Sequence, residues 1–481
     1  MHIVILFYIL LAALAALVLV VLLRTAVFKP EAQPTDAPEA MDYDGQAAID
    51  ALGRLVRCKT VSYYDKARED DEEFDMLIAL LPELYPQVTE TCPLTRLPDR
   101  ALLYRWQGRE PGPAAVLMAH YDVVPVDEAN WEKPAFDALI EDGVMWGRGT
   151  LDTKVTFNGI LSAAENLIRQ GFQPRNDIYF AFSGGEEVNG PGAVNIVNYF
   201  RENSIELSMV VDEGGGVVQD VFPGVKEPCA LIGIAEKGLM NLEFSISGGG
   251  GHASAPAPHT PVGRLSLACT RLEAKPFRAH FSKPVLEMFD TLGRHSTFAY
   301  RMIFANLWLF GGILDRICKK CGGELNALLR TTVAFTQMQG SQAPNVIPPQ
   351  ASMVANLRLN PEDSVAGAIE YIKSVIADPE ISLTNQVSME PSPVSRTDSE
   401  SWQKVCAAVS DTWPGSLVAP YLMVQCSDSR HYGPISDKVY RFSAMALSSE
   451  ERRTIHGNNE RITLEAIGKA VEFFMRLMKQ C

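Results

Sequence analysis

The sequence predicts a layered α/β protein with a smaller α+β unit set into it and an apolar helix at its N-terminus. Three observations lead there. Between about Tyr43 and Ala235, short unbroken apolar runs alternate with helix-like stretches: "AAVLMAH" (114 to 120), "GILSAAENLIRQG" (159 to 171), "DIYFAFSGG" (177 to 185) and "SMVVDEGG" (208 to 215). Runs of this kind read as strands covered on both faces by helices. From residue 236 the pattern changes to partly alternating strands, "LMNLEFSIS", "TTVAFTQMQG" and "SMVANLRLN", joined by the helix candidates "PVGRLSLACTRLEA" and "EDSVAGAIEYIKSVIAD". From about Pro393 the first style resumes, with "KVYRFSAMAL" as a strand and "TLEAIGKAVEFFMRLMKQ" as a closing amphipathic helix. The second unit is therefore inserted into the first.

In chain order, "IVILFYILLAALAALVLVVLL" (3–23) carries no charge. At about 1.5 Å per residue it matches a hydrocarbon layer of about 30 Å, which predicts a transmembrane anchor. A cleaved signal peptide is the competing reading, but its apolar core is usually about 7 to 15 residues behind a basic start, and Met1-His2 supplies no Lys or Arg. The stretch 24–44 is rich in Pro, Ala and acids and predicts an extended linker. Catalytic segments are expected at 45–235 and 393–481, with the inserted unit at 236–392. Within the insert, 276–330 is helix-like and contains "YRMIFANLWLFGGIL", too short to span and expected as a buried or interfacial helix.

The chain has 481 residues and a formal net charge of -15. That acidity argues against nucleic acid as a partner, because such binding rests on Lys and Arg neutralising phosphates. Nine cysteines lie scattered, without the paired spacing of a disulfide scaffold. The "CKKC" of Cys318 and Cys321 has no second such pair and no nearby histidine, and takes no role.

In open α/β sheets, ligands bind beyond the carboxyl ends of the strands. The apolar runs end in His120 and Asp122, in Glu186 and Glu187, and in Asp212 and Glu213; "RFSAMAL" precedes His456, and "GRGTLDTK" carries Asp152. Taken singly, Asp152 would cap a helix and the glutamates would be solvated loop charges. Together they place imidazoles and carboxylates at one edge, the ligand set of catalytic zinc or of manganese or cobalt. Five ligands suffice for two ions if one carboxylate bridges, and a further carboxylate then remains free to move a proton. Asp122, two residues from His120 on an extended strand, shares its side and would orient the imidazole. In "CSDSRHY", Arg430 is a candidate for gripping a substrate carboxylate bidentately, while His431 reads as structural.

The strings "MAHYDVVPV", "GRGTLDTK", "SGGEEVNG", "VVDEGG", "EKG", "GGHASAP", "APNVIPP" and "HGNNE" together resemble the M20 family of metallopeptidases and amidohydrolases, in the same order from about residue 45 to the C-terminus. Within it they resemble most the branch of carboxypeptidase S and the N-acyl-amino-acid synthase/hydrolases. The resemblance implies a zinc-peptidase-like catalytic domain with a central mixed sheet flanked by helices, and an inserted lid that is often also a dimerisation domain. It implies two zinc ions, with His120 and Asp212 on one, Glu187 and His456 on the other, and Asp152 bridging. Glu186 would be the general base, and the peptide bond after Asp152 would be cis. His252 would stabilise the oxyanion, frequently from a second subunit, and Asn345 and Arg358 would hold the substrate. The expected activity is hydrolysis of an amide in short peptides or N-acyl amino acids with a free carboxylate. A di- or tripeptidase reading a free amine and a non-catalytic, metal-stabilised binding protein are the alternatives.

Overall fold

A computed structural model of the chain describes residues 2–30, 38–219 and 222–481. Its large sheet has ten strands in the order Leu94–Leu97, Ala101–Trp106, Ile178–Ser183, Ala114–His120, Leu207–Asp212, Val439–Arg441, Cys229–Glu236, Gly216–Val218 and Ala446–Leu447, with Leu417–Met423 paired to Cys229–Glu236 off that path. Ile178–Ser183, Ala114–His120, Leu207–Asp212 and Val439–Arg441 run parallel, and the outer Leu94–Leu97 and Ala101–Trp106 antiparallel, so the sheet is mixed. The unbroken apolar character of the parallel strands has a direct cause. Leu117 and Ala119 face a core built from the helices Gly45–Arg57, Lys154–Arg169, Glu400–Thr412 and Leu464–Met478, whereas Val116 and Met118 face a second core with Ile196, Val197 and Phe200 of Gly192–Glu202. Because the four strands are parallel, their carboxyl ends share one edge.

A separate four-stranded antiparallel sheet runs Thr332–Gln339, Gln350–Leu359, Gly238–Ser247, Ser382–Met389. Along Gly238–Ser247 the side chains of Met240, Leu242, Phe244 and Ile246 alternate inward, meeting Leu265 and Leu272 of Pro261–Ala274 and Ile372 and Ile376 of Val365–Ile376. The chain enters and leaves this unit at adjacent points: Ser392 N donates to Glu236 O at 3.1 Å, and Glu236 N donates to Ser392 Oγ at 2.8 Å. A Cβ on Gly238 would lie 2.6 Å from Met389 O, so only glycine allows the two crossings to approach this closely.

The helix-like stretch behaves differently from its sequence neighbours. It forms the helices Lys283–His295, Phe298–Ala305, Leu307–Cys321 and Gly323–Leu329, so "YRMIFANLWLFGGIL" is broken at Asn306 rather than continuous. These helices pack on the large sheet, not on the four-stranded one: Val285, Met288, Phe289 and Leu292 share a core with Leu417, Ala419 and Tyr421. Lys237 Nζ, at the crossing, donates to Ala327 O and Arg330 O at 2.8 Å each, tying this helical block to the hinge.

The N-terminal apolar segment is a helix, His2–Val27, 26 residues long, with an 18-residue stretch of mean hydropathy 3.2. It runs past the expected start of the linker, and Phe28 packs into the helical block's core. Residues 31–37 of that linker lie outside the described residues. Beyond them, Met41 and Tyr43 pack on the main core, so residues 41–43 are held against the body.

Candidate active site

His120, buried at the end of its strand, sets its Nδ1 3.0 Å from the carbonyl oxygen of Asp122. Its Nε2 lies 3.0 Å from Asp152 Oδ1 and 3.3 Å from Glu213 Oε1. On the other side of Asp152, Oδ2 is 3.0 Å from His456 Nε2, which is also 3.0 Å from Glu187 Oε2. Asp152 thus stands between two sets of convergent donors, His120/Asp152/Glu213 and Asp152/Glu187/His456, with the donor atoms of each set within 4.8 Å of one another. The peptide bond between Asp152 and Thr153 is cis.

One expected ligand is elsewhere. Asp212 Oδ2 accepts from the backbone N–H of Ser429 at 2.9 Å, and Glu213 is the acid that meets His120. Neighbours along extended backbone point to opposite sides, so only one of the pair can face the cluster. The loop after Leu417–Met423 takes Asp212, and Glu213 turns inward.

The adjacent glutamates both sit on a short 3-10 turn, Glu186–Val188. Asp122 fixes it: its Oδ1 accepts from Glu186 N at 3.1 Å and its Oδ2 from Glu187 N at 3.2 Å. With both amides held, the side chains diverge. Glu187 reaches His456, while Glu186 Oε1 lies 4.0 Å from Arg430 Nη1 and belongs to neither donor set. Gly184 permits the turn, since a Cβ there would sit 2.7 Å from the Tyr121 ring.

The electrostatics test whether a cation belongs here. Burial and the Asp152 charge push the Glu187 carboxyl up to about 7. Burial pushes Glu213 up to about 7 as well, with Asp152 adding to it against the opposing pull of His120. Burial also raises Glu186, with Asp428 and Glu213 adding to it. Burial opposes a charge on His120, yet Glu213, Asp122 and Asp152 outweigh it and raise its pKa. Glu187 Oε1 is buried without a hydrogen-bond partner. Excess carboxylate charge, an orphaned carboxylate oxygen and two imidazoles form a donor set that a pair of divalent cations neutralises, so the residues fit the metal centre that the sequence implies.

Beside the cluster, Arg430 Nη1 donates to Ser427 O at 2.9 Å and its Nη2 to Asn189 Oδ1 at 3.0 Å. Arg358, on Gln350–Leu359 of the inserted unit, sets Nη1 3.5 Å from Cys426 Sγ. Burial raises the Cys426 thiol pKa, with Glu236 and Glu186 adding to it and Arg358 and Arg430 opposing it. His252 and Asn345 are brought together but not to the cluster. They lie at the exposed tip of the inserted unit, where Gly251–His252 pairs with Val346–Ile347 and Ala253 N donates to Asn345 O at 2.9 Å. The His252 ring meets Ser254 Oγ at 2.7 Å.

Two buried glutamates that sequence reasoning passed over hold the site's loops. Glu236, in "EKG", accepts from Ser427 N and Oγ, Ser429 Oγ and Arg441 Nε, and so fixes the loop that carries Arg430. Glu460, in "HGNNE", accepts from Leu151 N at 2.7 Å and Asp152 N at 3.1 Å through Oε1, and from Gly149 N and Arg148 through Oε2. Arg148 in turn donates to Gly457 O, so one buried pair joins the loops of Asp152 and His456. Their only sequence signal was a place inside strings quoted for other residues. Glu460→Gln leaves Arg148 buried without its counter-charge, which is expected to lower stability by about 3–5 kcal/mol and metal affinity by roughly 10- to 100-fold. Thermal unfolding and metal titration check this, and unchanged metal affinity would leave Glu460 a purely structural part.

A family model described as "Peptidase family M20/M25/M40" matches residues 116–480. Among curated proteins, the chain is 35% identical over 438 residues to "Probable carboxypeptidase S-like 2" of Dictyostelium discoideum, covering 89% of this chain and 84% of that one. It is 34% identical over 482 residues to the N-fatty-acyl-amino acid synthase/hydrolase of Xenopus tropicalis, covering 98% and 93%. Among solved structures, an M20 family metallo-carboxypeptidase from Sulfolobus solfataricus superposes with a TM-score of 0.65 at 18% identity, covering 90% of this chain and 98% of that one. With the family model spanning most of the sequence, the fold shared and carboxylates and imidazoles gathered at the sheet edge, the chain belongs to peptidase family M20/M25/M40 and is a hydrolase of its metallopeptidase and amidohydrolase kind.

Proposed function

We propose that the chain is a membrane-anchored, dinuclear zinc amidohydrolase that cleaves the amide bond of N-acyl amino acids or short peptides bearing a free carboxylate. The observation that carries this reading is a pair of guanidiniums beside the cluster, Arg430 at 4.0 Å from Glu186 and Arg358 at 3.5 Å from Cys426 of the loop that also carries Arg430. Two cations beside a proton carrier match a carboxylate one short step from a scissile amide. The relatives' names support the same chemistry, since a carboxypeptidase substrate and an N-fatty-acyl amino acid both place a free carboxylate next to the amide. The apolar helix His2–Val27 supports anchoring by its length and hydropathy.

His120, Asp152 and Glu213 would hold one zinc and Asp152, Glu187 and His456 the other. When bound, the pair supplies Lewis acidity at the carbonyl oxygen and lowers the pKa of water. Glu186 takes the proton of the attacking water and delivers it to the amine nitrogen as the C–N bond breaks. Arg430 and Arg358 grip the carboxylate. His252 and Asn345, at the tip of the inserted unit, donate to the carbonyl oxygen and the substrate's polar groups as that unit closes as a lid over its own site or, in a homodimer paired through this unit, over a second copy's.

A substrate panel tests the reading. Chelator-sensitive hydrolysis is expected for free-acid N-acyl amino acids or short peptides. Arg430→Ala is expected to raise KM for them by roughly 10- to 100-fold, the loss of a charge-assisted contact, while leaving turnover of the matching methyl esters nearly unchanged. Equal handling of acids and esters by the wild type would overturn the carboxylate assignment, and no hydrolysis by the zinc-loaded enzyme would overturn the reading itself.

A further inference from the structure

The helical block presents an apolar stripe that nothing in the described residues covers. On Leu307–Cys321 one edge buries Gly311 beside Phe281 and Cys318 in the core shared with the large sheet, while the other side leaves Leu309 37%, Ile313 54% and Ile317 51% exposed, with Trp308 58% exposed on the flank. Leu309, Ile313 and Ile317 recur every four residues and so lie on one face, which the exposed Arg316 and Lys320 share, while Trp308 points away from it, on the flank where it lines a cavity with Arg24 and Phe28. Phe298 and Tyr300, on the preceding helix, are exposed as well. Scattered exposed apolar residues need no explanation, but a continuous stripe does.

The position of the N-terminal helix says what covers it. Val21 and Thr25 are buried against the block; Asn306 Nδ2 donates to Val21 O and Thr25 Oγ1 at 3.3 Å each, and Arg24 Nε donates to Ala305 O at 3.2 Å. The last turns of the apolar helix therefore dock at the junction from which Leu307–Cys321 starts, next to Trp308. A helix of 26 residues is about 39 Å long, against a hydrocarbon layer of about 30 Å. Its last turns then leave the hydrocarbon at headgroup level, and they hold the start of Leu307–Cys321 beside them. Its composition suits the place: Trp and Tyr at the interface, Leu and Ile toward the acyl chains, and Arg316, Lys319 and Lys320 toward the helix's far end.

We propose that the block Lys283–Cys321 is a membrane-surface dock, with the stripe of Leu309, Ile313 and Ile317 and the flanking Trp308 lying in the interfacial layer of the bilayer beside the span. The dock rests on the proposed anchoring and adds a second contact to it, holding the catalytic body on the lipid surface rather than free on a tether. The full-length protein is reconstituted in phosphatidylcholine vesicles with brominated acyl chains, and its tryptophan emission is followed. Bromine is expected to quench a component that aqueous iodide does not reach and that the Trp308→Phe variant lacks. In Ile313→Glu/Ile317→Glu the same component is expected to become iodide-sensitive, while vesicle flotation and hydrolysis of a water-soluble substrate stay unchanged. Iodide quenching of Trp308 in the wild type would overturn the dock, as would shielding from both quenchers together with cross-linked dimers, which would make a second copy the occupant. Failure of the chain to float with vesicles would overturn the anchoring beneath it, and loss of hydrolysis in every form would count against the catalytic reading alone.

Discussion

Glu186→Gln is expected to lower kcat by roughly 10²- to 10⁴-fold, the usual worth of a positioned proton carrier, with the metal content of the protein unchanged. The reason lies in the turn it shares with Glu187. Asp122 holds both backbone amides, so the change cannot swing the loop, and glutamine has the size and one acceptor oxygen of glutamate. What it loses is the ability to take a proton. Because Glu186 belongs to neither donor set, its charge is not needed to retain a cation. Steady-state kinetics with metal analysis on the same preparation decide the matter. A parallel fall in metal content would make Glu186 a ligand, and retained kcat would remove it from the proton path.

Glu213→Gln is expected to cost one of two bound metal ions per chain and at least about 100-fold in activity, whereas Asp212→Asn is expected to keep both ions. The two acids are adjacent, but only Glu213 lies beside His120; Asp212 is engaged by the backbone of Ser429. Asp212→Asn keeps an acceptor oxygen for that amide, and its effect falls on the loop that carries Arg430. It should therefore appear as a raised KM for free-acid substrates with little change in kcat. Metal analysis of both variants separates the assignments, since loss of an ion from Asp212→Asn alone would restore the ligand that the sequence suggested.

This pair also marks where the sequence stops being legible. That His120, Asp152, Glu187 and His456 come together was legible because each ends an apolar run or sits in a distinctive string, and four parallel strands bring such ends to one edge. Asp212 and Glu213 end the same run, and which of them faces inward depends on a loop more than 200 residues later in the chain, with Ser429 at its bend. Glu236 and Glu460 were silent for a related reason. Their work is to accept backbone and guanidinium donors from distant segments, and no local pattern records that. The helical block shows the same limit at the level of packing. Its apolar residues were visible, but their choice of the large sheet over the four-stranded one, and the break at Asn306 where the N-terminal helix docks, come from tertiary contacts alone.

The two crossings between the sheets have a mechanical consequence. One hinge strand leaves at Glu236 to Gly238 and the other returns at Met389 to Ser392, and they are clipped together by hydrogen bonds. Two parallel straps fastened side by side allow bending across their common width but resist twisting and sliding. The Lys237 ammonium, braced on Ala327 and Arg330, adds a strut from a third direction. If the inserted unit closes as proposed, the tip that carries His252 and Asn345 is confined to one arc, like the end of a door. The length of that arc, rather than the softness of the crossings, would then fix how near the carboxylate and histidine cluster the two side chains come.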